Sequence, residues 1–265
     1  MEPTKLIYAR KAQTSSSARD PLVSVLIPTH NRVDLLLSRA LPSVLSQTYS
    51  NLEIIVAAHG CTDGTAEEVN RLSVKDFDCG LGKRIESGSP YKGFPFRLQC
   101  LKILRKETYP PTAENHWLAG PVAPLNAALA VCRGDWIARI DDDDTWTPDH
   151  IEKLLRFAQD GNYEFVSSAY RTHEKVIGAE DGIGGTQTWL YRSYLKFMKY
   201  NPDCWRKDWH RVNDTDLAER FRKAGVWTGY LDEVTAEVLP RPGETTVGLK
   251  AYREDAEAKE RALAF

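Results

Sequence analysis

Cysteine is scarce and unpatterned in this chain: five residues (Cys61, Cys79, Cys100, Cys132 and Cys204) among 265, odd in number, far apart and without a CxxC pair. That spacing excludes a disulfide framework and a cysteine zinc site as organising features, and predicts reduced thiols in a cytoplasmic protein. Long apolar runs are missing as well; nothing reaches the roughly 18 residues a membrane span needs, so no transmembrane segment is expected. The opening MEPTKLIYARKAQTSSSARD lacks the apolar core of a signal peptide. Neither sign of charge dominates, since 35 Lys and Arg face 37 Asp and Glu for a formal net charge of −2. A chain so balanced carries no electrostatic footprint for nucleic acid, and no nucleic-acid partner is expected. Internal repeats and low-complexity segments are absent too. With 42% hydrophobic and 27% charged residues, the composition is that of a folded protein long enough to bury a substantial core.

Residues 1–20 read as a flexible, polar lead-in. From Pro21 the pattern becomes regular. VSVLIP (Val23 to Pro28) has the look of a buried strand, and THNR leads into a helix bearing Leu36, Leu37, Ala40, Leu41 and Val44, in which Pro42 predicts a kink. LEIIVAA (Leu52 to Ala58) repeats the strand pattern, and Thr65 and Glu68 are spaced as a capping box for a second helix. Strand, helix, strand, helix at this spacing argues for a parallel sheet. Between Asp76 and Gly120 the signal weakens into an irregular insertion, with KRIESG as a candidate third strand. Order returns with Val122, Leu125, Leu129 and Cys132 on one helical face, the strand DWIARI, and a helix entered at Thr147-Pro148.

The second half is mixed: YEFVSSAY, TQTWLY, VWTGYL and VTAEVLP read as strands, and NDTDLAERFRKAG as a helix. The expected organisation is an α/β domain over 21–246, a mostly parallel sheet flanked by helices, with a ligand-binding half at 21–146, a mixed half at 147–246, and a C-terminal helix over 247–265.

Chemistry concentrates in GDWIARIDDDDTWTPDH (Gly134 to His150), where an apolar strand ends in four consecutive aspartates. In open α/β sheets, ligands bind at the carboxyl ends of strands. Carboxylates about 6 Å apart repel by about 3 kcal/mol per pair at an effective dielectric of about 20, so the cluster needs water, a cation or a function. If the backbone stays extended, Asp141 and Asp143 face one side and Asp142 the other, and alternate carboxylates can share a cation. Oxygen-only ligands suit Mg or Mn, and Mg is usually held by one or two carboxylates together with substrate phosphates. A calcium loop is excluded because Trp146 occupies its required glycine position and Pro148 interrupts it. A solvated acidic turn is the alternative.

Several segments together resemble glycosyltransferase family 2, whose members have a GT-A fold. They are VSVLIPTHNR, LSQTYSNLEIIV, LNAALAVCRGDWIARIDDDDTWTPDHI and NDTDLAERFRKAG, which in order and spacing cover most of residues 21–232. The resemblance implies inverting transfer of a sugar from a nucleoside diphosphate sugar, UDP by default, to the hydroxyl of a glycan, lipid or protein acceptor. It places the DXD-type motif on Asp141 to Asp143, with Asp143 as the foremost metal ligand, Asp141 as a second, and Asp141 or Asp142 near the ribose. It makes Asp214 the general base, at the position of an acidic pair that here reads Asn213-Asp214; Asp also caps helices without any catalytic role.

Pro28, Thr29, His30, Asn31 and Arg32 match the family's nucleotide-binding edge. After the second strand this chain has Ala58-His59-Gly60-Cys61 where members often carry a base-reading aspartate, which leaves His59 as the candidate base contact. Arg241 is the candidate diphosphate contact, and Trp189, Trp205 and Trp209 are candidate sugar-stacking residues. Two other functions stay open: a non-catalytic nucleotide-sugar or carbohydrate-binding module, which could dispense with Asp214, and a sugar nucleotidyltransferase, whose usual Gly-rich basic loop PTHNRVD lacks.

Overall fold

The computed structural model describes residues 20–77, 97–106, 109–179, 182–206, 213–248, 250, 251 and 253. The lead-in 1–19, the candidate strand KRIESG, Trp209 and most of the expected C-terminal helix lie outside these; residues 250, 251 and 253 are helical.

The two apolar runs form β1 (Val23–Thr29) and β2 (Leu52–His59), buried along their whole length and paired in parallel from Val23 opposite Leu52. The DWIARI run forms β4 (Trp136–Arg139) on the other side of β1, also parallel. The third strand is β3 (Arg97–Ile103), inside the stretch expected to be irregular. It lies at the sheet edge and is largely half-exposed, so its sequence carries charges and lacks a continuous apolar run.

Further on come β5 (Asp144–Trp146), β6 (Phe165–Thr172), β7 (Val176–Ile177), β8 (Leu190–Arg192) and β9 (Thr228–Val238). The described strands run β3-β2-β1-β4-β8-β6-β9-β5, with β7 on β6; β4–β8, β6–β8 and β5–β9 are antiparallel and β6–β9 parallel. VWTGYL and VTAEVLP are therefore one strand, whose register against β6 shifts near Ser168 to Tyr170. In TQTWLY only the end is strand, preceded by a 3₁₀ turn at Thr186–Thr188.

Alternation along β1 and β2 separates two cores. Val25, Ile27, Ile54 and Val56 pack with a π-helical turn (Leu36–Ala40), which follows the short α1 (Val33–Leu35), and with α2 (Leu41–Leu45) and α6 (His150–Asp160). Leu26, Ile55 and Ala57 pack with α5 (Val122–Val131) and α7 (Asn213–Lys223). The Pro42 kink takes the form of the wide turn just before it, where a regular helix would drive the proline ring into the carbonyl of Ser38. The predicted capping box is replaced: α3 (Thr65–Phe77) starts at Thr65, whose hydroxyl donates to Asp63 at 2.5 Å.

One buried carboxylate ties the turn before β4 to the sheet. Glu53 accepts from Ser24 Oγ at 2.5 Å, Arg133 N at 2.5 Å and Gly134 N at 3.0 Å. Gly134 has no room for a side chain, because a Cβ there would meet Ser24 Oγ at 2.5 Å and Leu22 O at 2.8 Å. Among the described residues, no helix is long and apolar enough to cross a membrane.

Candidate active site

The carboxyl ends of β1, β2 and β4 open into one cavity of ≈ 330 Å³. It is lined by Pro28, Thr29, His30, Arg32 and His59, by all four aspartates Asp141 to Asp144, and by Asp214 and Arg241. Of the residues expected from the sequence, Asn31 is not in the lining. It has a positive φ of 50°, which asparagine tolerates, and its Oδ1 accepts from Thr62 N at 2.7 Å while its N–H donates to Cys61 Sγ. Asn31 thus stitches the loop after β1 to the loop after β2. Asp63 does the same, accepting from Val33 N at 2.8 Å; burial pushes its pKa up, but hydrogen bonds from Thr65 and Val33 outweigh this and hold it below the ordinary value.

His30 is pinned at both ring nitrogens. Its Nδ1 donates to the His59 carbonyl at 2.6 Å, which leaves Nε2 as an acceptor, and the Arg105 guanidinium donates to it. Burial, together with the Arg105 and Arg32 charges, lowers the His30 pKa, so the ring is neutral at physiological pH. His59, at the end of β2, is buried and faces the same cavity.

The backbone does not stay extended through the aspartates. It turns at Asp142 and Asp143, with Asp144 N donating to Asp141 O at 3.3 Å, and resumes as β5. The alternation of faces expected for an extended chain is replaced by a turn that presents all four to the cavity. Arg32 bridges Asp142 at 3.1 Å and Asp143 at 3.4 Å, and Arg241 approaches Asp143 at 3.9 Å while pairing with Glu244 at 2.5 Å. Burial, opposed by Arg32 and reinforced by the neighbouring carboxylates, pushes Asp142 up to about 7; burial also raises Asp143 and Asp144. The carboxylates also repel one another, which adds to the effect of burial on Asp144.

Two arginines that the sequence reading missed organise the site. Arg139, the last residue of β4, is buried; it donates to Asp141 Oδ1 at 3.0 Å and to Asn213 Oδ1 at 3.0 Å, with its guanidinium 5.5 Å from the Tyr200 ring centroid. Burial works against its charge, and Asp141 foremost, with Tyr200 and Asp214, more than restores it. Arg139 therefore couples the aspartate motif to the start of α7, where Asp214 sits. Its signal in the sequence was a lone charge inside an apolar run. Burial raises the Asp214 pKa against the pull of Arg139, and its Oδ1 accepts from Thr215 N at 2.7 Å. Asp216 is structural, pairing with Arg220 at 2.8 Å. Arg39 donates to the carbonyls of Asp143, Leu239 and Pro240 at 3.0, 3.1 and 2.8 Å, which holds the segment after β9 against the motif.

Of the expected sugar-stacking tryptophans, Trp209 lies outside the described residues, and Trp189 and Trp205 are not in the cavity lining. Trp189 is core, donating to Gly184 O at 2.8 Å, and Trp205 packs against the same core. Among the described residues no group of three or more His, Cys, Asp or Glu is arranged to hold a metal on its own.

Comparison with known proteins agrees with this geometry. The model of Glycosyl transferase family 2 matches residues 24–84 and 113–214. An uncharacterized glycosyltransferase of Haemophilus influenzae is 29% identical over 167 residues, covering 63% of this chain and 41% of that protein. The UDP-Glc:alpha-D-GlcNAc-diphosphoundecaprenol beta-1,3-glucosyltransferase WfaP of Escherichia coli is 28% identical over 156 residues, covering 59% and 49%. The chain thus spans less than half the length of these curated relatives. Among solved structures, S. aureus TarS 1-349 in complex with UDP-GlcNAc superposes with a TM-score of 0.58 at 15% identity, covering 86% of this chain and 60% of that one. The mannosyltransferase PcManGT from Pyrobaculum calidifontis, in complex with GDP-Man and Mn²⁺, gives 0.55 at 18%, covering 84% and 58%. The fold is GT-A, and the chain belongs to glycosyl transferase family 2.

Proposed function

We propose that the protein is an inverting glycosyltransferase that moves a sugar from a nucleoside diphosphate sugar to an acceptor hydroxyl, with Asp214 as general base and Mg or Mn at the aspartate turn. The observation that carries this reading is that Asp214 and Asp141 to Asp143 line one cavity, coupled through Arg139. An inverting displacement needs a proton acceptor on one side of the sugar and a charge-stabilised leaving group on the other.

The donor set fits a hard cation. Asp141 to Asp144 line one part of the cavity together, carboxylate oxygens are the ligands such an ion prefers, and Mg held by one or two carboxylates is usually completed by substrate phosphates. Asp143 would hold the ion with Asp141, and a bound ion supplies neutralisation of the charge that gathers on the departing diphosphate. Arg32 and Arg241 flank the same carboxylates and are placed to bind diphosphate oxygens. Pro28, Thr29, His30 and His59 face the nucleoside. The carboxylate of Asp214 takes the acceptor hydroxyl proton as that oxygen bonds to the anomeric carbon and the bond to the diphosphate breaks. UDP-sugars are the default donors, in line with UDP-GlcNAc bound by TarS; a glycan, lipid or protein presents the hydroxyl. Free thiols at Cys61, Cys100, Cys132 and Cys204 suit a cytoplasmic setting. The unit doing this is residues 21–246.

The test is release of nucleoside diphosphate from a panel of nucleotide sugars by wild type and Asp214→Asn. Asparagine keeps the size and capping ability of aspartate and removes the proton acceptor. A base contributes about 100- to 10,000-fold, so turnover should fall at least about a hundredfold with donor affinity unchanged. Turnover within a few-fold of wild type would refute the role of Asp214. Donor binding without any turnover by wild type would instead identify a binding module.

A further inference from the structure

Among the described residues, Trp117 is the one tryptophan that lines the cavity, and its position follows from hydrogen bonds that reach the base. It belongs to α4 (Ala113–Ala119), a short helix in the Pro-rich stretch between β3 and α5. Thr112 caps that helix, accepting from Asn115 N at 3.2 Å, and the Leu118 carbonyl accepts from Asn213 Nδ2 at 3.0 Å and from Cys204 Sγ at 3.3 Å. The end of α4 is thereby fixed against the first residue of α7, next to Asp214. His116, one residue before Trp117, also lines the cavity, with its Nδ1 at 3.1 Å from the Tyr109 hydroxyl. Gly120 closes the helix so tightly that a Cβ there would meet His116 O at 2.5 Å.

We infer that Trp117 and His116 form the acceptor subsite, and that the acceptor presents a saccharide ring there. The inference rests on the glycosyltransferase reading and adds the class of acceptor to it. An indole offers an apolar face that matches the C–H face of a pyranose, and a polar neighbour can satisfy a ring hydroxyl; an apolar wall with a few placed polar groups is how small-ligand sites achieve orientation. The donor is tethered on the far side, where its diphosphate meets Asp141 to Asp143. Inversion brings the attacking hydroxyl from the opposite direction, the side of Asp214, and that is the side to which Leu118 and Asn213 bind α4.

The experiment compares wild type, Trp117→Leu and Trp117→Phe in two measurements, with UDP and Mn²⁺ present in the first. Titration with methyl β-glycopyranosides and short oligosaccharides, followed by ligand-observed NMR, should show saturable binding to wild type. Binding should weaken at least tenfold in Trp117→Leu and recover in part in Trp117→Phe, which restores an aromatic face. In the second, titration with a UDP-sugar and Mn²⁺ in the absence of acceptor should give the same donor affinity in all three proteins, and thermal melting should confirm that each is folded. Binding of no saccharide by wild type would overturn the inference, and so would saccharide binding that is equal in wild type and Trp117→Leu. Weaker UDP-sugar affinity in Trp117→Leu would also overturn it, by placing the indole at the donor sugar. Saccharide binding without any hydrolysis or transfer from any nucleotide sugar would sustain the subsite and defeat the catalytic reading, so the two failures are distinct.

Discussion

Asp214 must be ionised to accept a proton, yet burial raises its pKa against the opposing pull of the Arg139 guanidinium and the Thr215 N–H. The proton-accepting form is lost as pH falls through that raised value. Turnover should therefore decline on the acid side at a pH above the ordinary aspartate range near 3.9, and a pH–rate profile with its acid midpoint at or below that range would contradict the assignment. The aspartate turn makes a separate prediction. Asp143 is partly exposed and its removal leaves both cores untouched, so Asp143→Ala should melt close to wild type while transfer drops by at least about a hundredfold, the scale of several kcal/mol of lost charge stabilisation. Excess chelator should have the same effect on wild type. Full activity under chelation would remove the metal from the scheme.

Single elements differ in how openly the sequence declares them, and the reason is how many faces they bury. β1, β2 and β4 are covered on both sides, so each reads as a mostly apolar run whose few polar residues are themselves buried. β3 is an edge strand and β5 is three residues long, beginning with an aspartate of the acidic motif; neither has a local pattern to find. The site follows the same division. Asp141 to Asp143 and Asp214 were legible as local motifs, while the subsite wall at Trp117 depends on a contact between Leu118 and Asn213, 95 residues apart. Glu53 is a buried polar residue inside a strand that satisfies four donors from β1 and the turn before β4. Burial alone would raise its pKa, and those hydrogen bonds hold it below the ordinary value instead. A depressed folded-state pKa stabilises the fold above the unfolded-state value near 4.3 and loses that contribution as pH falls through the folded value. Glu53→Gln sets an amide against four donors and should cost about 2–3 kcal/mol at neutral pH, a melting point lower by roughly 5 °C or more. The gap between variant and wild type should narrow as the pH drops below about 4. A gap that stays constant down to acid would mean that hydrogen bonds to the ionised form are not what holds the turn.

At the scale of the molecule, the aspartate motif depends on strands that come long after it in the chain. β5 pairs only with β9 among the described strands, Asp144 opposite Val238 and Trp146 opposite Ala236, and the Trp146 indole donates to Gln187 O at 2.6 Å while stacking on His150 at 4.2 Å. β4, which delivers Arg139, has β8 as its second neighbour. The segment 21–146 contains every residue expected to face the nucleotide except Arg241, but it would expose the free edge of β4 and leave β5 with no partner. Such an edge invites association and cannot hold the turn in place. The full chain should melt in one cooperative transition, raised by UDP with Mn²⁺ because a ligand that binds only the folded state stabilises it. Residues 21–146 expressed alone should show neither cooperative melting nor any nucleotide-dependent shift. A cooperative, nucleotide-stabilised transition in that fragment would establish an autonomous donor-binding unit, and the coupling of donor and base sides through Arg139 and β9 would then have arisen between two separable halves.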